Sequence, residues 1–521
     1  MFQHFSQWDI VVFIAYGVML VVSGYWFNRK TQSGRDFFLA NRSMPMWMVA
    51  VSVLATSQSA ATFLGGPDQG YRGNLTYLAA TISAILGALF VAYILIPRFY
   101  QANVFTVYGL LENRFGQQTK QRAGTVYLLG RLLASGSRLY MAAIAVAMIL
   151  FGEFSANTVL LSIAVIAGCG LLYTVVGGIR SVIYSDVIQC FVYVSAAIAV
   201  ITWLLMTIPV NTDVIVDALQ NPPNDASSKL LLFDWRFDLS SQGVFTMGSL
   251  LTGMVLLNIA AYGLDQDMTQ RVLTCKSAQH GTRAMLASSV ISIPIILLFL
   301  VIGLLLHIYY QRPDLMASTG LGDMVPTFEG QTVTIFMHYV LNDMPSGLKA
   351  WVTIGIIAAA LSTLNSGLNS MASVVVEDML LPKFKARPSA SQTVHIGQWV
   401  MLLTAVALSS IAALCFYWQQ HTDMPLLQFA LSVMVFSYSG LLGVYFTVLF
   451  SQRGSSASVI TALIVGFMVP VSLQPYIQPL WLPTNWQMDL GFTWQLILGT
   501  LVSTAICMLG SAQSSDKTQS S

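Results

Sequence analysis

Thirteen apolar runs, each long enough to cross a bilayer, constrain this chain more than any single motif does. They lie near 8–27, 45–66, 75–97, 122–151, 158–176, 183–208, 243–263, 284–309, 350–377, 395–418, 426–450, 456–474 and 490–510. A helix needs roughly 20 mainly apolar residues to span the hydrocarbon core. Lipid favours helices there, because backbone polar groups find no water to bond. The expectation is an all-α polytopic membrane protein of about 13 transmembrane helices. A charged fraction of 9% and a mean hydropathy of +0.69 agree, since soluble domains carry roughly 25% charged residues.

Lys and Arg orient the spans, because cytoplasmic loops hold an excess of them. With the N-terminus outside, the loops placed inside collect seventeen, among them Arg35, Arg42, Arg98, Arg114, Arg180 and Arg271. Those placed outside hold Arg72, Lys229, Arg236 and Arg312. The same alternation leaves the C-terminus cytoplasmic. A net charge of +2 implies no acidic partner such as nucleic acid. Five cysteines without a CxxC pair and six histidines without HExxH spacing point to neither a structural disulfide nor a metal site. Met1 to Trp8 lacks the basic segment of a signal peptide, so the first run reads as a retained span.

The expected organisation is a first helix and inner loop over 1–44, five helices over 45–208, and an outer loop over 209–242. A second group of five follows over 243–450, then two helices over 451–510 and a disordered Ser/Gln-rich tail over 511–521. Because five is odd, the second group enters the bilayer from the opposite side. That is the inverted repeat of many secondary transporters, in which discontinuous helices form the binding site. Run two carries Ala55 to Thr62 (ATSQSAAT) and then Gly65-Gly66-Pro67, polar and breaker-rich where a span should be most apolar. Run seven carries Asn258 and then Tyr262-Gly263.

On run nine, Ser362, Ser366, Asn369 and Ser373 share one side, flanked by Thr363 and Ser370. Lipid disfavours such a stripe. Two readings stand: hydrogen-bonding glue between helices, worth about 1 kcal/mol per bond, or one wall of an oxygen cage for a small hard cation. Run four holds Arg131 and Arg138, two turns apart and so able to face one cavity. A guanidinium within a membrane must be paired or face water. In a cavity it would grip a carboxylate through two parallel hydrogen bonds.

Five strings, in order over about 35–380, resemble the sodium:solute symporter family. They are Gly34 to Pro45 (GRDFFLANRSMP), Thr106 to Gly116 (TVYGLLENRFG), Gly177-Gly178 with Ser185 to Gln189, Asp265-Gln266 with Gln270-Arg271, and Ala359 to Ser370 (AALSTLNSGLNS). The resemblance implies a leucine-transporter-like fold of two inverted five-helix repeats and alternating access driven by sodium, with no organic cofactor. It also implies a plasma (bacterial inner) membrane protein whose partners are a small-molecule substrate and the bilayer, with no obligate protein partner.

Carried over by position, the family's main sodium site would use the carbonyls of Ala55, Gln58 and Ala359 and the hydroxyls of Ser362 and Thr363. Gln58 replaces the usual apolar residue, but only its carbonyl is required. Some relatives hold a second sodium, for which Asp186, Asn365 and Ser366 are the matching positions. Asp186 reads equally as a helix cap or a partner for Arg180. Ser57, Ser59, Thr62, Arg138 and Asn258 match substrate positions, with Arg138 at the carboxylate-binding arginine of sialic-acid-type relatives and Tyr262 as an inner gate. Arg138 paired with a buried carbonyl or acid is the other reading. Sugar carriers place Gln where Thr62 stands.

The resulting expectation is sodium-driven symport of a carboxylate-bearing solute: sialic acid, an amino acid or an organic acid. A sugar or other neutral-solute carrier, a cation channel and a nutrient sensor are the alternatives. Channel filters are usually rings built by several subunits, and a sensor would add an output domain for which the tail is short. No nucleophile-base set suggests an enzyme.

Overall fold

The computed structural model describes residues 7–28, 33–223, 227–316, 327–328, 331–386, 388–419 and 426–511. The tail from 512 onward lies outside the described residues. Among those described, strands are limited to a two-residue pairing of Thr327–Phe328 with Gln331–Thr332.

The chain opens with α1 (Gln7–Asn28) and a short α2 (Gly34–Leu39), whose start is capped by the Ser33 hydroxyl accepting from the Asp36 N–H at 3.1 Å. The second run is α3 (Met46–Ser57) and α4 (Ala60–Arg72), followed by α5 (Thr76–Gln101), α6 (Gly109–Phe115), α7 (Gln117–Phe151) and α8 (Ala156–Thr207). After α9 (Thr212–Gln220), the seventh run is α10 (Met247–Leu251) and α11 (Gly253–Gly263), continued by α12 (Gln266–Leu273). Then come α13 (Ala278–Gln311), α14 (Ile335–Asn342), α15 (Ser346–Lys383), α16 (Ala390–Gln419), α17 (Leu426–Phe450), α18 (Ser456–Ser472) and α19 (Phe492–Met508).

By length and composition, seven helices can cross a bilayer: α5, α7, α13, α15, α16, most of α17 and the second arm of α8. The pair Gly34–Arg42 and Met46–Ser57, bent by 112°, would make an eighth. Shorter apolar helices occupy further expected runs, including Ala156–Leu172, Gly253–Gly263, Ser456–Ser472 and Phe492–Met508.

Runs five and six are the two arms of α8, which meet in a kink at Gly178, a non-helical residue with φ of +60°. A side chain is excluded there twice over, because left-handed φ favours glycine and a Cβ would run into the Phe37 carbonyl. Arg180, just past the bend, forms an ion pair with Asp36 at 3.0 Å and donates to the Ser43 hydroxyl at 3.2 Å. That corrects one sequence reading: Arg180 serves Asp36, and Asp186 lies within the second arm of α8 rather than at a cap.

α4 and α13 touch backbone to backbone through Gly70 and Gly303. A Cβ on Gly303 would collide with the Pro67 carbonyl, and one on Gly70 with that of Leu300. Since α4 is one half of the broken span, this contact fixes its position. Gly303→Val should cost about 1–3 kcal/mol through overpacking, seen as a lower midpoint in thermal unfolding of the purified protein. An unchanged midpoint would show that α4 is held elsewhere.

At the far end of α4, the Lys229 ammonium donates to the carbonyls of Tyr71 at 2.8 Å and Arg72 at 3.3 Å. A cation there complements the negative end of the helix dipole. Burial pushes this lysine down to about 8.

Candidate functional site

The second run breaks where its sequence is most polar. Gln58 and Ser59 adopt extended backbone, with ψ of 118° and 175°, between α3 and α4. Extended residues end the i to i−4 ladder and leave carbonyls at the helix end unspent. The last turn of α3 closes on Leu54, whose carbonyl accepts from the Gln58 N–H at 3.0 Å. The Gln58 side-chain oxygen is buried at the same break and has no hydrogen-bond partner.

α15 lies alongside. The Thr56 and Ser366 hydroxyls are 3.3 Å apart, and Thr363 donates to the Ala359 carbonyl at 3.2 Å. Ser362 and Ser52 both donate to the Asp186 carboxylate, at 2.7 and 2.5 Å. Ala55, Ala359, Ser362 and Thr363 are all buried. Thus the broken span, the serine stripe and the Asp186 carboxylate meet.

Asp186 is also one end of a chain of buried ion pairs. It contacts Arg271 at 3.1 Å, Arg271 contacts Asp267 at 2.9 Å, Asp267 contacts Arg131, and Arg131 contacts Asp265 at 2.9 Å. Tyr438 donates to Asp265 at 2.6 Å. Three carboxylates against two guanidinium groups leave the ionised chain with one surplus negative charge.

Asp186 and Ser366, two of the positions matched to a second sodium, share a guanidinium. Arg271 donates to both Asp186 and the Ser366 hydroxyl, placing a guanidinium between them. Asn365 turns its side-chain oxygen toward Gly170 in the first arm of α8.

The two arginines of run four separate in role. Arg131 is spent on Asp265 and Asp267. Arg138, equally buried, donates to the Met434 sulfur at 2.9 Å and, among the described residues, has no carboxylate within 4.0 Å. Ser59 and Thr62 flank Ala61, which packs with Met141 of α7 and with Val433 and Phe436 of α17, on either side of Met434. α4, α7 and α17 therefore meet at the helix junction that holds Arg138. Ser57 is turned back, donating to the Leu54 carbonyl at 2.7 Å. On α11, Asn258 donates to the Met254 carbonyl at 2.9 Å and presses on Gly87 of α5. Tyr77 of α5 lies within electrostatic reach of both Arg138 and Tyr262, and Tyr262 is buried beside Ser289.

Residues 37–466 match the sodium:solute symporter family. The chain belongs to that family. It is 24% identical to the sodium/sialic acid symporter of Proteus mirabilis, an alignment covering 88% of each chain. It is 25% identical to the sodium/glucose cotransporter of Vibrio parahaemolyticus, over 96% of this chain and 91% of that one. Against the mouse sodium-coupled monocarboxylate transporter 1, identity is 25% over 89% of this chain and 72% of the relative. Among solved structures, a substrate-bound, outward-open sodium-coupled sialic acid symporter superposes with a TM-score of 0.77 at 21% identity, covering 96% and 97% of the two chains. The fold is therefore shared with that symporter.

In this sodium:solute symporter the sequence reading missed α12. Its polar residues were taken for an inner loop, with Arg271 among the loop charges. Yet every residue from Gln266 to Leu273 is buried, and most of the polar side chains find partners inside. Gln266 accepts from the Val107 N–H at 2.9 Å, and Gln270 donates to the Phe38 carbonyl at 2.7 Å and to Asn369 at 2.8 Å. Asp265 caps the helix through the Asp267 N–H. The available signal was density: Asp265, Gln266, Asp267, Gln270 and Arg271 within seven positions, too rich in hydrogen-bonding groups for a mere connector.

Proposed function

We propose that this protein carries a small carboxylate-bearing organic solute across the membrane together with sodium, by alternating access. The observation that carries the reading is Arg138, a buried guanidinium beside a broken membrane helix with no carboxylate within 4.0 Å among the described residues. A substrate carboxylate would supply its missing partner, with Ser59 and Thr62 as hydroxyl ligands, Asn258 across the junction and Tyr262 on the inner side as gate. Relatives that act on sialic acid or monocarboxylates fit this chemistry better than the glucose relative does.

The architecture we infer is thirteen spans, with inverted five-helix repeats over 45–208 and 243–450 and the N-terminus outside. Two features support the repeats. The two-residue break between α3 and α4 has a counterpart at Leu264 and Asp265, between α11 and α12. Each break also opens the first span of its group.

For sodium, the carbonyls of Ala55, Gln58 and Ala359 and the hydroxyls of Ser362 and Thr363 form the proposed ligand set. The Asp186 carboxylate, which accepts from the Ser362 hydroxyl, favours a cation beside that serine. With Arg271 already bridging Asp186 and Ser366, one sodium per cycle is the reading the geometry supports. One sodium moving down 100 mV supplies about 2.3 kcal/mol before its concentration gradient is added.

The test is uptake of labelled organic acids into proteoliposomes under an imposed sodium gradient. Uptake should depend on sodium with a Hill coefficient near one. Ser362→Ala and Thr363→Ala should each raise the half-activating sodium concentration about tenfold, the value of one lost ligand hydrogen bond or oxygen. Unchanged sodium dependence in both variants would remove this site.

A further inference from the structure

On the basic face, three connecting segments enclose a cavity of about 590 Å³, lined in part by Ser33, Arg35, Arg42, Asn103, Glu377 and Thr393. Its size lies within the roughly 300–1,000 Å³ of small-molecule sites. Arg42 stands out in it. Its Nε and Nη2 atoms are buried and, among the described residues, have no hydrogen-bond partner. Those two nitrogens form the guanidinium edge that meets a phosphate or carboxylate through parallel hydrogen bonds. The guanidinium itself is fixed, its carbon 4.9 Å over the Tyr100 ring.

Arg35 lies within electrostatic reach of Arg42 and donates to the Asn103 side chain at 3.5 Å. Among the described residues neither arginine has a carboxylate within 4.0 Å. Two neighbouring cations without an acid between them repel one another unless an anion joins them. The backbone is held to suit: Ala40, Asn41, Arg42 and Asn103 all have φ between 48° and 55°, although none is glycine. Such conformations persist only where the surroundings impose them.

We propose that this cavity binds a phosphate-bearing anion between Arg35 and Arg42, outside the transport path. Glu377, also in the lining, opposes an anion, so the two arginines must outweigh it. Occupancy has a mechanical consequence. Tyr100, on which Arg42 stacks, donates to the carbonyls of Val272 at 2.9 Å and Cys275 at 2.8 Å, at the end of α12. The Met44 N–H donates to the neighbouring Thr274 carbonyl at 3.1 Å. An anion locking Arg42 therefore braces α12, the buried helix that seals this face. With the orientation proposed above, the cavity faces the cytoplasm, where anionic lipid headgroups and free phosphates are both at hand. The binding itself does not depend on that orientation or on transport.

The test is thermal unfolding of the full chain in lipid-free detergent, titrated separately with inorganic phosphate and with phosphatidylglycerol, using phosphatidylcholine as the net-neutral comparison. A ligand of the native state raises the midpoint saturably. The half-saturating concentration should rise about tenfold or more in Arg42→Gln and in Arg35→Gln, as one charge-assisted bond is lost. Arg122→Gln, exposed on the same face, should leave it unchanged. A response to inorganic phosphate assigns a soluble anion, and one confined to phosphatidylglycerol assigns a lipid headgroup. Should Arg42→Gln fail to fold, Arg35→Gln carries the comparison alone. No saturable response to either additive, or equal responses in Arg35→Gln and Arg122→Gln, would overturn the site.

Discussion

Arg138→Gln is expected to abolish binding of an acidic solute while leaving sodium binding intact. The side chain is buried at a helix junction, and its polar contact among the described residues is a methionine sulfur. If a substrate carboxylate is its partner, truncation leaves that carboxylate desolvated and unpaired, which costs about 2–5 kcal/mol. Affinity should therefore fall by about 30-fold or more. Arg138→Lys should recover only part of the loss, because an ammonium cannot make the paired fork of a guanidinium. The measurement is ligand-induced thermal stabilisation in the presence and absence of sodium, with an acid and its amide compared. Retained acid binding in Arg138→Gln, or equal losses for acid and amide, would remove the carboxylate inference. Sodium-induced stabilisation should survive, since the proposed ion ligands lie on α3 and α15 rather than α7.

Arg271→Met should be the most destabilising change in the molecule. Arg271 is fully buried, ion-paired with Asp186 and Asp267, and hydrogen-bonded to Ser52 at 2.8 Å and to Ser366. Methionine fills similar space but leaves two carboxylates without their shared cation. Breaking a buried pair from one side costs about 3–5 kcal/mol, because the uncompensated charge remains behind. Thermal unfolding in sodium-free buffer should show a sharply lower midpoint or loss of folded protein. The double variant Arg271→Met, Asp186→Asn should recover part of it by removing one stranded charge. A single variant as stable as the parent would mean that the ionic chain is incidental to holding α12.

Local sequence carried the architecture far because its physics is local. Lipid demands apolar helices of a certain length, and the run ATSQSAAT breaks where hydroxyls and a glutamine replace apolar side chains. The structure accordingly ends α3 at Ser57 and restarts at Ala60. Gly178 likewise stands at the one bend of α8, since only glycine fits a left-handed residue pressed on the Phe37 carbonyl.

Charge pairing was another matter. Periodicity puts Arg131 and Arg138 on one face of α7 as equals, and only the approach of α12 to that face gives the first to Asp265 and Asp267 and leaves the second, among the described residues, with no acid within 4.0 Å. Asp186 had Arg180 six positions away as its nearest basic residue, yet its partner is Arg271, 85 residues along the chain. Sequence alone determined the apolar helices, the broken span and the family, since each is written in neighbouring residues. Which buried charges cancel, and which one is left to meet a ligand, was decided by the tertiary structure, because a Coulomb interaction depends on separation in space and not along the chain.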